Sequence, residues 1–281
     1  MSGLYVKDDG TWYLPKSIWV KSGTWRVCSN VYVKSGGAWK ELIKTVDITS
    51  SKANLNLYEY LGSPSEPLSV VVNISSFVEI FSSNTSGNRT NAFTVGNFQN
   101  GSTVIINNNG YISGGGGFGG NAGYRNGSNW YEPSNGFDGG DGIVKGSSNN
   151  FDITIVNTGT IAGGGGGGAG GEYRYVCPPN PQNIYESGCN WVNGNTGGQG
   201  AGITGASRTQ GGSPMTFNPN PYDNNPPIPN TDTGGFGGAL GEAGQGNGQT
   251  GSKARTGGAG GKAIGSGIEI AVSGTIIGAV G

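Results

Sequence analysis

Thr103-Val-Ile-Ile-Asn-Asn-Asn-Gly-Tyr-Ile-Ser-Gly-Gly-Gly-Gly117 and Asp152-Ile-Thr-Ile-Val-Asn-Thr-Gly-Thr-Ile-Ala-Gly-Gly-Gly-Gly-Gly-Gly168 are two copies of one phrase. Each has a β-branched run, an Asn, a Gly, an Ile and then a burst of glycine. A third, degraded copy, Ile268-Glu-Ile-Ala-Val-Ser-Gly-Thr-Ile-Ile-Gly278, closes the chain. Glycine at high density normally accompanies disorder, because glycine loses the most conformational freedom on folding. Here every burst is tied to a strand-like phrase, which predicts that the glycines belong to an ordered structure.

The 281 residues include 59 glycines, about 21% against an ordinary usage of about 7%. Only 8 of them precede residue 101, so we place a boundary there. Expected units are 1–44, 45–101 and 102–281. The net charge is −1 with no basic tail, which argues against nucleic acid and anionic membrane as partners. The first residues have no apolar segment of a signal peptide, and no run of about 18 apolar residues could insert in a bilayer. Cys28, Cys177 and Cys189 form no CxxC pair and the chain has no histidine, so no metal site or cofactor is expected. Cys177 and Cys189 flank an aromatic, proline-rich segment. They could staple a loop outside a cell or remain reduced thiols.

Outward from the phrase toward the N-terminus lies a second repeat. Leu4-Tyr-Val-Lys-Asp-Asp-Gly-Thr-Trp12, Ile18-Trp-Val-Lys-Ser-Gly-Thr-Trp25 and Val31-Tyr-Val-Lys-Ser-Gly-Gly-Ala-Trp39 share one pattern every 13 or 14 residues. Alternation, a Gly turn and renewed alternation predict β-hairpins. So short a unit cannot bury its own face. Tyr5, Trp12, Trp19, Trp25, Tyr32 and Trp39 must pack within a small barrel core or on another chain. Residues 45–100 read as β structure: Ala53–Leu61 alternates, and 68–74 and 77–81 are strand candidates rich in β-branched and aromatic residues. No segment has convincing helical periodicity, so essentially no α-helix is expected.

Beyond residue 110 glycine recurs every third position: Gly114, Gly117, Gly120, Gly123; Gly136, Gly139, Gly142; Gly194, Gly197, Gly200; Gly235, Gly238, Gly241, Gly244. Three residues per turn without internal hydrogen bonds is polyproline II geometry. Glycine at each third position clears one face, so neighbouring helices can exchange N–H···O=C bonds. Isolated runs would stay disordered; several could form a polyglycine II bundle or sandwich. The interruptions differ chemically. Residues 124–135 hold Tyr124, Trp130 and Tyr131. Residues 172–193 hold Tyr173, Tyr175, Tyr185 and Trp191. Residues 207–233 hold Phe217 and Tyr222 among six prolines. Stiffened aromatic loops on a scaffold suit recognition, although aromatics could also fold back to cap the lattice.

The Asn-Gly-Tyr-Ile and Asn-Thr-Gly-Thr-Ile-Ala phrases with their glycine bursts, preceded by Gly101-Ser-Thr-Val-Ile-Ile-Asn107 and by Asn54-Leu-Asn-Leu57, resemble the glycine-rich domains of tailed-bacteriophage adhesins. The resemblance covers residues 50–281. It implies a small all-β N-terminal part that attaches to another tail-fibre or tail-tip protein. It also implies a C-terminal polyglycine II sandwich whose loops bind a host surface receptor, an outer-membrane protein or a glycan. The virion tail is the implied location, reached after synthesis in the host cytoplasm. The nine aromatics of the three interruptions then become receptor-contacting candidates, and the aromatics of residues 5–39 attachment candidates. The hairpin repeats do not match the attachment domain of the T-even adhesins.

An enzyme is not expected. Without histidine there is no Ser-His-Asp or Cys-His site, and Gly260-Gly-Lys-Ala lacks the flanking residues of a P-loop. Asp138-Gly-Gly-Asp141 reads as a turn rather than a cation site. Rival readings are a structural tail-tip protein, a glycan depolymerase using carboxylates such as Glu172 and Glu186, and an ice-binding protein, which would want flat, short-looped faces.

Overall fold

The computed structural model describes residues 6–8, 11–13, 19–22, 24–27, 30–35, 38–83, 90–126, 129–171, 174–176, 190–192, 202–204, 207–209, 234–247 and 254–281. Each copy of the opening phrase becomes a strand, a tight corner and a second strand. Thr103–Asn108 is followed by Tyr111–Ser113, Asp152–Asn157 by Thr160–Ala162, and Glu269–Val272 by Thr275–Ile277. The copies lie in register and parallel: Thr103 pairs with Asp152, and Tyr111 with Thr160. Ser69–Ile74 and Glu79–Phe81 extend the same two stacks, as do Ala38–Ile48 and Lys52–Ala53. A third stack pairs Leu55–Asn56, Phe93–Thr94 and Ile143–Val144, and continues through bridges from Ile143 to Ile264 and from Ile264 to Val280. The chain therefore winds as successive coils with three parallel strand faces. It is nearly all β among the described residues.

The core follows from alternation. Ser69–Ile74 and Thr103–Asn108 are alternately half-buried and buried, as period-two side chains on one covered face must be. In-register ladders line each face inside: Val72, Ile106 and Ile155 on the first, Ile80, Ile112 and Ile161 on the second, Leu55, Phe93, Ile143 and Ile264 on the third. Burying each such side chain contributes about 1.5–3 kcal/mol. This one core runs from Val46 to Ile264, so the change in composition near residue 101 falls between two paired strands of one sheet.

The Asn-x-Gly of the phrase builds the corner. Asn108 and Asn157 are fully buried. Asn108 Nδ2 donates to Asn157 Oδ1 at 2.8 Å, Gly110 N donates to Asn108 Oδ1 at 3.1 Å, and Asn157 Nδ2 donates to the Thr275 carbonyl at 3.3 Å. A Cβ at Gly110 would stand 2.4 Å from the Val78 carbonyl oxygen, which explains the glycine. Two expectations need correction. Ala53–Leu61 is not one alternating strand: after Leu55–Asn56, Leu57–Tyr60 forms a single helical turn, and the Asn56 side chain caps it by accepting from Glu59 N. The 77–81 strand begins at Glu79, and Phe77 stands in the corner, 95% exposed.

The glycine bursts leave this solenoid between its second and third faces. We name the segments run a (114–123), b (134–142), c (163–171), d (235–241), e (242–247) and f (256–262). Their bonds recur every third residue. Gly114, Gly117, Gly120 and Gly123 donate to the carbonyls of Ala162, Gly165, Gly168 and Gly171 at 2.7–3.0 Å. Gly136, Gly139 and Gly142 donate to Thr256, Ala259 and Lys262, and Gly164, Gly167 and Gly170 to Gly140, Phe137 and Ser134. Run c is central: it exchanges bonds with a, b, d, e and f, and residues 161–171 are all buried. A Cβ would lie 1.9 Å from a Gly261 oxygen at Gly163, 1.8 Å from Phe118 oxygen at Gly167 and 1.9 Å from Gly235 oxygen at Gly168. Clearing one face suffices for an outer run, whereas the central run needs glycine facing all its neighbours. That is why its burst is six long. Outer runs carry Phe137 and Phe236, each about half exposed.

Candidate functional site

The direction of each run fixes where the loops emerge. Runs a and c leave the second face side by side and parallel; run b returns antiparallel to both, with Ser134, Phe137 and Gly140 donating to Asn121, Phe118 and Gly115. Run d returns antiparallel to c: Gly235, Gly238 and Gly241 donate to Ala169, Gly166 and Gly163. The chain reverses at 240–241, where Gly241 takes φ +69° against Gly278, run e travels outward along c, and run f returns. Every outward run thus ends, and every returning run begins, at one end of the lattice. The loops after 123, 171 and 247 all start there.

That end is tied together by side chains that sequence reading missed. Asn247 is buried; its Nδ2 donates to the Gly170 carbonyl at 3.2 Å, and its N–H and Oδ1 pair with the backbone of Arg255 at 3.1 Å. Arg255 Nε donates to the Pro133 carbonyl at 2.7 Å, and its guanidinium stands 3.6 Å from the exposed Glu132 carboxylate. Runs b, c, e and f are therefore fastened where the loops begin. A lone Asn and Arg in a glycine-rich stretch carry no pattern that predicts this.

Of the sequence-predicted contact residues, Tyr124 and Tyr131 are brought together. Tyr124–Asn126 and Asn129–Tyr131 form an antiparallel hairpin, in which the two tyrosine rings stack at 4.4 Å with 5° between planes and remain about 40% exposed. Trp130 stands opposite Arg125 in this hairpin. A second hairpin, Arg174–Val176 with Asn190–Val192, places Tyr175 opposite Trp191. A third joins Gly202–Thr204 to Ser207–Thr209. Tyr173, Tyr185, Phe217 and Tyr222, like Cys28, Cys177, Cys189, Glu172 and Glu186, lie outside the described residues.

The N-terminal repeat forms three hairpins: Val6–Asp8 with Thr11–Tyr13, Trp19–Ser22 with Thr24–Val27, and Asn30–Ser35 with the start of Ala38–Ile48. Trp12, Trp19, Trp25, Tyr32 and Trp39 all lie on these strands, and Tyr5 lies outside the described residues. The third hairpin is welded to the solenoid. Ile43 and Lys44 pair with Val31 and Asn30 on one side and with Ser69 and Val70 on the other.

Asp138-Gly-Gly-Asp141 is not a turn but part of run b. Asp138 and Asp141, with Asn135 before them, stand at every third position and accept the backbone N–H of Ala259, Lys262 and Thr256 at 2.5–3.1 Å. Among the described residues no group of three His, Cys, Asp or Glu could hold a metal ion, and no helix is long and apolar enough to cross a membrane. The shallow cleft beside Lys145 and Lys262 is polar, and Lys145 is engaged there with the Phe151 carbonyl and ring.

No curated protein is similar in sequence to the chain. Among solved structures, the gp37–gp38 adhesin tip complex of the bacteriophage S16 long tail fiber contains a chain that is 21% identical, with a TM-score of 0.49 over 86% of this chain and 83% of that one. Residues 43–281, which hold the solenoid and all the glycine runs, match the family model of the phage tail fibre adhesin Gp38, and the chain belongs to that family.

Proposed function

We propose that the chain is the non-enzymatic receptor-recognition protein at the tip of a phage tail fibre. In this reading runs a–f are polyglycine II helices. The backbone bonds that join neighbouring runs at every third residue support that geometry. Loops 124–135, 172–193 and 207–233 contact a host surface receptor, an outer-membrane protein or a glycan, through Tyr124, Trp130, Tyr131, Tyr173, Tyr175, Tyr185, Trp191, Phe217 and Tyr222. The N-terminal hairpins attach the protein to its fibre on the virion tail. The observation that carries the reading is that all loops leave one end of a lattice fastened by Asn247 and Arg255. Such an end presents adaptable segments on a rigid base, which limits the ordering cost of binding.

The test is exchange of 172–193 or 207–233 for the corresponding segment of a family member with another host. The exchanged proteins should melt as the parent does and bind outer-membrane fractions of the new host. Unchanged adsorption to the original host overturns the loop assignment. Sugar released from host polysaccharide by the purified protein would favour a depolymerase instead.

A further inference from the structure

The corners that join the third strand face to the first shorten along the chain. Residues 95–102 and 145–151 form two long corners that stack on each other. Gly96 N donates to the Lys145 carbonyl at 2.9 Å, Ser147 Oγ to Asn97 Oδ1 at 2.7 Å and Gly101 N to the Asn150 carbonyl at 2.9 Å. The rings of Tyr58, Phe98 and Phe151 run as a column through these corners and the one before them, with centroids 5.5 and 5.7 Å apart. The next corner, 265–268, is shorter and adds no ring. Gly146 below it stays exposed, and a cleft of about 400 Å³ opens between the two corners.

The cleft is chemically one-sided. Lys145 borders it from the lower corner and Lys262 from the last position of run f. The Lys145 ammonium donates to the Phe151 carbonyl at 3.1 Å and stands 4.5 Å from the centre of its ring. These contacts fix the charge at the wall and leave donors to spare. Lys262 is exposed, and among the described residues its ammonium has no hydrogen-bond or ion-pair partner. The one carboxylate in the lining, Asp141, already accepts from Lys262 N at 2.7 Å. Each corner turns on a left-handed glycine, Gly146 at φ +71° and Gly267 at φ +76°. A Cβ at Gly267 would lie 3.4 Å from Lys145 Cδ, so the lysine passes directly beside the upper corner. The backbone N–H groups of Gly146, Ser266 and Gly267 and the Ser266 hydroxyl have no partner among the described residues.

Two ammonium groups against one engaged carboxylate, with uncommitted N–H and O–H donors between them, select an anion. The volume exceeds that of a lone ion and falls within the roughly 300–1,000 Å³ of small-molecule sites. Its lining of serine, glycine and lysine is matched by a hydroxylated ligand rather than an apolar one. The geometry points to a second binding site, on the coils, for an acidic sugar. The sugar's carboxylate or phosphate lies between Lys145 and Lys262, and its hydroxyls meet Ser266 and the glycine N–H groups. Run f climbs about 3.1 Å per residue from 256 to 262, which sets this cleft on the order of 20 Å behind the loops, so the site does not rest on the loop assignment. Exposed charge contacts are individually weak and screened by salt. A single sugar therefore binds in the millimolar range, and the density of acidic sugars on a cell surface makes the contact effective.

The test titrates the full chain, labelled with nitrogen-15, at low ionic strength with glucuronate, glucose 6-phosphate, inorganic phosphate and uncharged glucose. The amide signals of Gly146, Ser266 and Gly267 should move with both acidic sugars, about tenfold more tightly than with inorganic phosphate, and stay still with glucose. Lys262→Glu alters an exposed side chain and keeps the backbone bond to Asp141, so it should melt as the parent does. It should weaken both acidic sugars by about tenfold or more, while Lys262→Arg keeps them. Inorganic phosphate that binds as tightly as the sugars overturns the sugar assignment. The site itself is overturned if no anion moves these amides, if the shifts persist in Lys262→Glu, or if the signals that move are those of Tyr124 and Tyr131 at the tip.

Discussion

At the scale of single residues, the glycines divide by what a methyl group would meet. At Gly167 a Cβ falls 1.8 Å from the Phe118 carbonyl oxygen, while at Gly265 its nearest neighbour is a backbone oxygen at 3.3 Å. Overpacking usually costs about 1–3 kcal/mol, and a backbone atom enclosed on all sides cannot yield. Gly167→Ala should therefore destabilise by more than about 3 kcal/mol, and Gly265→Ala by less, because the Ile143 oxygen there need give by only a few tenths of an ångström; calorimetric melting of the two variants decides. Cysteine offers a second case. The last described pair of the second tip hairpin is Val176 with Asn190, and the next residues along each strand direction are Cys177 and Cys189. A disulfide between them would staple the segment 178–188 that they flank. The oxidised protein is expected to show one free thiol, that of Cys28, by mass spectrometry after alkylation. Three alkylated cysteines would refute the staple.

At the scale of elements, the repeated phrase was legible because all its parts act locally: β-branched residues for the strand, Asn and Gly for the corner, Ile for the next strand. What it could not reveal is pairing. Thr103 and Asp152 are neighbours across 49 residues, and the insertions between coils differ so much in length that no period survives. The third face is hidden for another reason. Its strands Leu55–Asn56, Phe93–Thr94 and Ile143–Val144 are two residues long, too short for alternation to register. Asp138-Gly-Gly-Asp141 misled because Asp and Gly are also turn residues; the three-residue spacing that begins at Asn135 was the better guide. This carboxylate and amide ladder joins runs b and f. Asp138→Asn keeps an acceptor and should melt near the parent. Asp138→Ala removes the bond to the exposed N–H of Ala259 and should cost about 0.5–1.5 kcal/mol. Equal melting of the two variants would mean that water replaces the side chain.

At the scale of the whole molecule, runs a, b, c and f leave or re-enter the coils at strands of one core, so the lattice is continuous with them. Among the described residues, the hairpins before residue 30 share no strand pairing with this core, since the first two form their own two-stranded sheets. A chain that starts at residue 30 keeps Asn30–Ser35 over the edge of the six-stranded sheet. It should melt as the parent does and still adsorb to cells, while losing its hold on the fibre. A fall in melting temperature would show instead that the early hairpins pack on the solenoid. The strand Ala38–Ile48 joins the third hairpin to the coils without a break. Tension applied through that hairpin runs along the strand and loads its rungs to Ser69–Ile74 together, in shear, rather than peeling them one by one. Under the proposed attachment through the hairpins, a phage pulled sideways on its host would pass that load along this strand into the body that carries the loops.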